Sequence, residues 1–163
     1  MAWLRVPSPI GDLIAVGTDG ALCRLGFGGP TPGGAESPDD PVLAATARQL
    51  DEYFAGRRTG FDVPLRLSGS EFEQAVWAEL TRIPYAETRS YGDVARAVAD
   101  DVGASRAVGI ANNHNPVPVI VPCHRVVGAN RKLVGYGGGL HRKRFLLELE
   151  ARVGLTTHGL LAF

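Results

Sequence analysis

The chain has 163 residues, 45% of them apolar, and a formal net charge of zero. That is enough for one full-sized domain, or two small ones, to bury a substantial core without staples. Zero net charge taken alone argues against a general polyanion binder. Two cysteines a hundred residues apart, Cys23 and Cys123, give neither a disulfide framework nor a paired-cysteine zinc signature, so free thiols in a reducing, cytoplasmic setting are expected. The stretch MAWLRVPSPIGDLIAVG lacks the layout of a signal peptide, and no segment approaches the roughly 20 apolar residues of a membrane span. The expectation is a soluble protein with no membrane partner.

From Trp3 to Phe27, the short apolar runs WLRV, LIAVG and ALCRLGF are separated by PSPIGD and TDG, both turn chemistries, which predicts an antiparallel meander. Residues 28–41 combine Gly, Pro and acids without periodicity and read as an exposed connection. Leu43, Ala47, Leu50 and Phe54 then recur at helical spacing up to Gly56. Residues 1–69 therefore read as a small N-terminal α/β domain that ends in a linker.

Residues 70–163 read as a second domain. SEFE has the form of a capping box, Ser70 with Glu73, and opens a helix carrying Phe72, Val76, Leu80 and Ile83. Ser90, with Asp93 three residues on, opens another in YGDVARAVA. A four-residue break separates it from ASRAVGIANN, and the pair forms a helix-turn-helix candidate. In the second of these helices Ala104, Ser105, Ala107, Gly109 and Ala111 are small and Arg106 alone is long and charged. Such a face suits a narrow, sequence-poor contact such as a minor groove better than base readout in a major groove, although tight core packing uses small residues equally well.

Charge is uneven along the chain. Residues 1–70 carry eight acids against six bases, whereas Arg106, Arg125, Arg131, Lys132, Arg142, Lys143 and Arg144 lie between Gly103 and Leu147 with no acid among them. A basic stretch of this kind is an electrostatic footprint that could face phosphate.

Within it, Pro116, Pro118 and Pro122 bias PVPVIVP to extended backbone and make it a rigid arm leading to Cys123 and His124. Strand neighbours point to opposite faces, so these two side chains cooperate only if the chain turns directly after Pro122. Such a turn would also bring the thiol near unpaired amides that lower its pKa. A thiolate beside an imidazole has the ingredients of nucleophilic catalysis, and the base then needs an orienting acid, for which Glu148 and Glu150 both qualify. They sit in a segment whose Leu140, Phe145 and Leu147 predict a helix. Cys23 has no polar company and reads as an inert hydrophobe. Further on, VGANRKLVGYGGGL reads as a hairpin or wing with a glycine cluster that admits close approach of a ligand. His114, His124, His141 and His158 have no metal-ligand spacing, so neither a metal nor another cofactor is expected.

Taken together, NPVPVIV before PCHRV, GYGGGL after it, RSYGDVA and SRAVGIANN upstream, and a helix ending in LLELE resemble the O6-alkylguanine-DNA alkyltransferase family, the methylated-DNA--protein-cysteine methyltransferases. The resemblance is strong over residues 70–152 and weaker over SPIGDL and the meander. It implies a ribonuclease-H-like α/β domain followed by a winged helix-turn-helix domain carrying the active cysteine, and it implies repair of alkylated duplex DNA in a single irreversible event. Cys123 would take the alkyl group from O6 of guanine, with O4-alkylthymine a further candidate substrate. His124 would serve as its water-mediated base, Glu150 would orient His124, and Asn115 would brace the turn before the site. Tyr91 would crowd the target phosphate and protonate the departing guanine, and Arg106 would fill the vacated place in the base stack. Ala104, Ser105, Ala107 and Gly109 would lie in the minor groove, with Arg125 counted among the residues facing DNA or holding the local structure. Tyr136, Gly137, Val126 and Asn112 would line the base pocket; at Gly137 many relatives carry a serine, so a hydroxyl contact to O6 is not available here. The partner would be duplex DNA containing O6-alkylguanine, bound by a monomer with scope for cooperative assembly. A base buried in a duplex must be flipped before its O6 can react, at a cost of roughly a few kcal/mol. Three rivals make different demands: a lesion binder would lack the cysteine, a cysteine hydrolase would turn over, and a regulator would show sequence preference without needing a thiol.

Overall fold

The computed structural model describes residues 1–157, so His158 and the rest of the expected second domain beyond Thr157 lie outside the described residues. The chain forms two compact units, Met1–Ser68 and Gly69–Phe163.

In the first unit, β1 (Ala2–Val6), β2 (Leu13–Thr18) and β3 (Ala21–Gly26) pair antiparallel in that order. Thr18 pairs with Ala21 across Asp19 and Gly20, both of which have positive φ; this is the two-residue turn whose twist matches a hairpin. β2 is central and Leu13 to Val16 are all buried, because both of its faces are covered. Trp3, Ile14 and Val16 cluster, with Cys23 packed against them. Gly17 leaves room for Leu43, the first buried residue of α1 (Pro41–Phe54). The helix buries Leu43, Thr46, Leu50 and Tyr53, so Ala47 and Phe54 lie at the edge of the buried face rather than at its centre. Its start is fixed locally: Asp40 accepts from the amides of Val42 and Leu43, with Pro41 at the first helical position. Residues 28–41 are better anchored than their composition indicates. Trp3 Nε1 donates to Gly33 O (3.1 Å), and the Ser37 amide donates to Trp3 O (2.8 Å).

The second unit contains α2 (Glu71–Leu80), β4 (Arg89–Ser90), α3 (Tyr91–Ala99), α4 (Ser105–Asn113), β5 (Val126–Val127) and α5 (Leu140–Thr157). Both capping boxes form, Ser70 with Glu73 on α2 and Ser90 with Asp93 on α3. α3 ends at Asp100, which takes the left-handed conformation of a helix stop, and a short 3₁₀ turn, Val102–Ala104, leads into α4. The buried indole of Trp77 donates to Ala111 O (2.9 Å), fixing α2 against α4. Val76, Leu80, Val94, Val108, Val117, Leu146 and Leu149 complete this core, each worth roughly 1.5–3 kcal/mol when fully buried.

Two expectations change, and the helix expected from Leu140, Phe145 and Leu147 forms with a different set of residues inward. The expected wing is not a hairpin: β5 pairs parallel with β4 through Arg89↔Val126 and Ser90↔Val127, and 129–131 is a 3₁₀ turn. The proline-rich arm is not extended but closes on itself, with the Val121 amide donating to Val117 O (3.0 Å) and Val119 held at φ 73°, a strained position for a β-branched residue. In α5 the buried positions are Lys143, Leu146, Leu149 and Glu150, while Leu140 is exposed and Phe145 and Leu147 are half-buried. Among the described residues no helix is long and apolar enough to cross a membrane.

Because the Ser90 hydroxyl holds the first turn of α3 at Tyr91, Ser90→Ala should cost about 1 kcal/mol. Chemical denaturation checks this, and an unchanged midpoint would show that the cap contributes nothing.

Candidate active site

Directly after Pro122 the chain turns into a 3₁₀ segment, Cys123–Arg125, with the Cys123 amide bonded to Val121 O (2.8 Å) and the Arg125 amide to Pro122 O (3.0 Å). One tight turn thus sends three consecutive polar side chains into the interior, where all are buried.

His124 and Arg125 meet Glu150 of α5. Glu150 Oε2 accepts from His124 Nε2 (2.7 Å) and Arg125 Nη2 (3.0 Å), and Oε1 accepts from Arg125 Nε (2.8 Å) and the Ala86 amide (3.2 Å). Arg125 Nη1 donates to Ile83 O (2.7 Å), and the guanidinium lies over the ring of Tyr85. Burial alone would raise the pKa of Glu150, but the hydrogen bonds and charges of His124 and Arg125 outweigh it and hold the carboxyl well below the usual carboxylate range. Glu148, the other acid open at the sequence level, is exposed.

The carboxylate also fixes the imidazole tautomer. Facing an ionised oxygen, Nε2 carries the proton, which leaves Nδ1 as an acceptor. That Nδ1 is buried and makes no hydrogen bond among the described residues. Burial lowers the His124 pKa against the pull of Glu150, so the ring is neutral at neutral pH.

Cys123 is only 4% exposed. Burial pushes its thiol up to about 11, although the side chains of Asn115 and Tyr136 and the charge of Lys143 act in the opposite direction. The expectation that a turn would lower this pKa is therefore overturned: loss of solvent outweighs the nearby amides. Asn115 also braces the preceding loop, its Nδ2 donating to Val121 O (2.8 Å) and its Oδ1 accepting from the Val117 amide (3.0 Å). Asn112 is buried, with Nδ2 on Cys123 O (3.3 Å) and Oδ1 without a partner. Val126 is buried in β5. Tyr136 is half-buried with its hydroxyl beside the thiol, and its pKa is raised well above normal by burial and by Cys123. At Gly137 a Cβ would meet only Asn113 O, at an ordinary 3.5 Å, so the absence of a side chain there is not a steric demand.

The helix-turn-helix face lies apart from the Glu150 cluster. Arg106 and Ala107 are exposed on α4, Ala104, Ser105 and Gly109 are half-buried, and Val102 and Ile110 add exposed apolar surface. Tyr91 opens α3, packs near Gly109 and donates its hydroxyl to Val134 O (3.0 Å). Arg125 does not belong to any outward-facing surface; its guanidinium is fully engaged inside. Lys143 is likewise buried, which removes two cations from the basic footprint read from the sequence. Among the described residues no group of three or more His, Cys, Asp or Glu side chains could hold a metal ion.

Comparison with known proteins agrees with this architecture. Residues 71–152 match the family described as 6-O-methylguanine DNA methyltransferase, DNA binding domain, and residues 2–67 match the ribonuclease-like domain of the same family. The chain belongs to the 6-O-methylguanine DNA methyltransferase family. A Mycobacterium tuberculosis relative named methylated-DNA--protein-cysteine methyltransferase is 50% identical over 148 residues, 89% of each chain. One of the same name from Methanosarcina acetivorans is 47% identical, covering 88% of this chain and 94% of the relative. The crystal structure of Mycobacterium tuberculosis OGT in complex with DNA superposes with a TM-score of 0.85 at 46% identity, covering 96% of this chain and 98% of that one.

Folded His124 binds its proton less readily than an unfolded histidine, and Glu150 likewise binds its own less readily than a free carboxyl. The unfolded chain therefore takes up more protons on acidification, and stability should fall as pH drops below about 6.5, then faster below about 4.5. Denaturant midpoints across this range check it. His124→Gln should flatten the upper part, and an unchanged slope would place the titrating group elsewhere.

Proposed function

We propose that this chain repairs duplex DNA by direct reversal, taking the alkyl group of O6-alkylguanine onto Cys123 once and irreversibly. The observation that carries the reading is the His124–Glu150 bond: it leaves a neutral imidazole with an acceptor nitrogen on the same turn as a protonated thiol. With the thiol near 11, only about one molecule in ten thousand is a thiolate at pH 7, so the reaction needs a base at the moment of transfer. His124 Nδ1 accepts the proton of Cys123 through a bridging water. The sulfur then bonds to the alkyl carbon as the carbon–O6 bond breaks, and the electron pair stays with the leaving guanine. Glu150 stabilises the imidazolium that forms, and Arg125 keeps Glu150 ionised. Asn115 holds the loop that presents the thiol. Tyr91 gives a proton to the departing guanine.

The guanine must leave the stack to reach a thiol that is 4% exposed. The small face of α4, with Ala104, Ser105, Ala107 and Gly109, lies in the minor groove; Arg106 enters the stack in place of the flipped base, and Val102 and Ile110 add apolar contact beside it. Tyr136, Gly137, Val126 and Asn112 form the base pocket, where Gly137 offers a backbone amide and no hydroxyl. The protein acts as a monomer in a reducing, cytoplasmic setting, and the division of labour follows the expected domains, residues 1–69 and 70–163, with DNA binding and chemistry in the second. The complex of a relative with DNA supports the partner assignment.

Incubation with a duplex containing O6-methylguanine should add one methylene to the intact mass, saturating at one per molecule and absent in Cys123→Ser. No gain, with binding retained, would make the protein a lesion binder. Arg106→Ala should slow repair of the duplex by roughly tenfold or more while leaving reaction with free O6-benzylguanine close to wild type, as expected when an inserted side chain offsets unstacking. Equal losses on both substrates would remove Arg106 from base flipping.

A further inference from the structure

Two buried acceptors on side chains next to Cys123, His124 Nδ1 and Asn112 Oδ1, find no hydrogen-bond donor among the described residues. Asn112 is 1% exposed near the end of α4, and His124 is wholly buried one residue after the cysteine. A buried acceptor left without a donor is costly, so the two together call for one. The orientation of Asn112 is fixed. Its Nδ2 donates to Cys123 O (3.3 Å), and because a carbonyl only accepts, the amide cannot turn over and Oδ1 faces away from it. His124 is fixed in the same way, since Glu150 takes its proton-bearing Nε2.

Cys123 itself supplies the third partner. Asn115 and Tyr136 form side-chain hydrogen bonds to the sulfur that lower the thiol pKa, which marks both as donors to it. The thiol's own proton is left to be given elsewhere. A water molecule donates twice and accepts through its oxygen, and buried waters typically make about three hydrogen bonds. Two acceptors and one donor around Cys123 are the complement of such a water.

We propose that Asn112 is a positioning residue for alkyl transfer: its Oδ1 anchors the water that carries the Cys123 proton to His124. This rests on the proposed function, in which a water relays that proton, and it names the group that orients the relay. The water donates one proton to Asn112 Oδ1 and the other to His124 Nδ1, and it accepts from the thiol. In the reaction the thiol proton passes to the water oxygen as the water's proton on the His124 side passes to Nδ1. The water is regenerated, the imidazole becomes an imidazolium beside Glu150, and the sulfur electron pair forms the bond to the alkyl carbon. The proton shared with Asn112 does not move. A water held by His124 alone is free to turn its second proton toward the sulfur; the amide oxygen removes that freedom.

Two measurements test this. The first is a crystal structure of the unreacted wild type at a resolution that shows ordered waters. One water should lie within hydrogen-bond distance of Asn112 Oδ1, His124 Nδ1 and Cys123 Sγ. No such water, or one that Asn112 does not touch, would overturn the proposal. The second is the single-turnover rate of Asn112→Leu, similar in shape but without an acceptor, relative to wild type. The variant should be slower on the order of tenfold at pH 7, both on a duplex containing O6-methylguanine and on free O6-benzylguanine, because proton transfer and not base flipping is impaired. The deficit should shrink as pH rises toward about 9.5, where more of the thiol ionises without the relay. Lys143, with a pKa of about 8, is present in both proteins and cancels in the ratio. An unchanged rate, or a loss equal at every pH, would leave Asn112 a structural residue only and overturn the proposal. Should Asn112→Leu not fold, the water in the wild type decides. A wild type that takes no methyl group from DNA would defeat the proposed function instead, while the crystal structure would still show whether Asn112 holds the water.

Discussion

The second unit is organised around one carboxylate. Glu150 is almost wholly buried, and its two oxygens accept from His124, twice from Arg125, and from the Ala86 amide. An ionised carboxylate is tolerated inside a protein only when such donors replace water. Satisfying it goes with much of the local structure: the 3₁₀ turn that delivers two adjacent side chains, the loop that offers the Ala86 amide, and the turn after α2 that offers Ile83 O to the same arginine. The same bonds set the chemistry. They decide which nitrogen of His124 carries the proton and hold the ring in place, while burial, acting against the pull of Glu150, keeps it neutral.

Around that centre, α5 carries two ionisable residues inward on one stripe, Lys143 and Glu150, seven positions apart and thus on the same helix face. Glu150 bonds the imidazole of His124, and Lys143 donates to the carbonyls of Val134 and Gly135. The buried cysteine is adjacent in sequence to the neutral imidazole and feels the charge of the buried lysine. Electrostatic effects are strongest where solvent is excluded, which is why burial that disfavours the resting thiolate also strengthens whatever stabilises the thiolate as it forms.

Local features were legible in the sequence. The Ser70–Glu73 and Ser90–Asp93 boxes and the Asp19–Gly20 hairpin turn depend on residues a few positions apart, and they are found where the residues place them. The break between α3 and α4 was legible for the same reason. What failed depended on distant partners. The apolar pattern of α5 revealed the helix but not its buried face, because two of the buried positions are Lys143 and Glu150, which no hydrophobic period reveals. Lys143 was hidden in the run RKRF, where a lysine between arginines reads as one more solvated charge; the only available signal was its seven-residue spacing from Glu150. Arg125 was counted among DNA-facing residues because a motif gives order along the chain and not direction in space. The turn after Pro122 was foreseeable, but the thiol pKa was not, since burial is a property of the whole unit. Residues 28–41 read only as an exposed connection, and their anchoring was not legible because the indole and backbone that hold them belong to Trp3, some thirty residues earlier.

A thiol held neutral and nearly inaccessible has one more consequence. Oxidants and stray electrophiles attack the thiolate, and they attack exposed sulfur first. A protein whose cysteine can be used only once is inactivated by a wasted encounter as completely as by a useful one. Keeping Cys123 protonated and 4% exposed at rest makes it a poor target for peroxide or small alkylating agents. The high resting pKa is in that sense a safety catch on the spontaneous reactions of the sulfur.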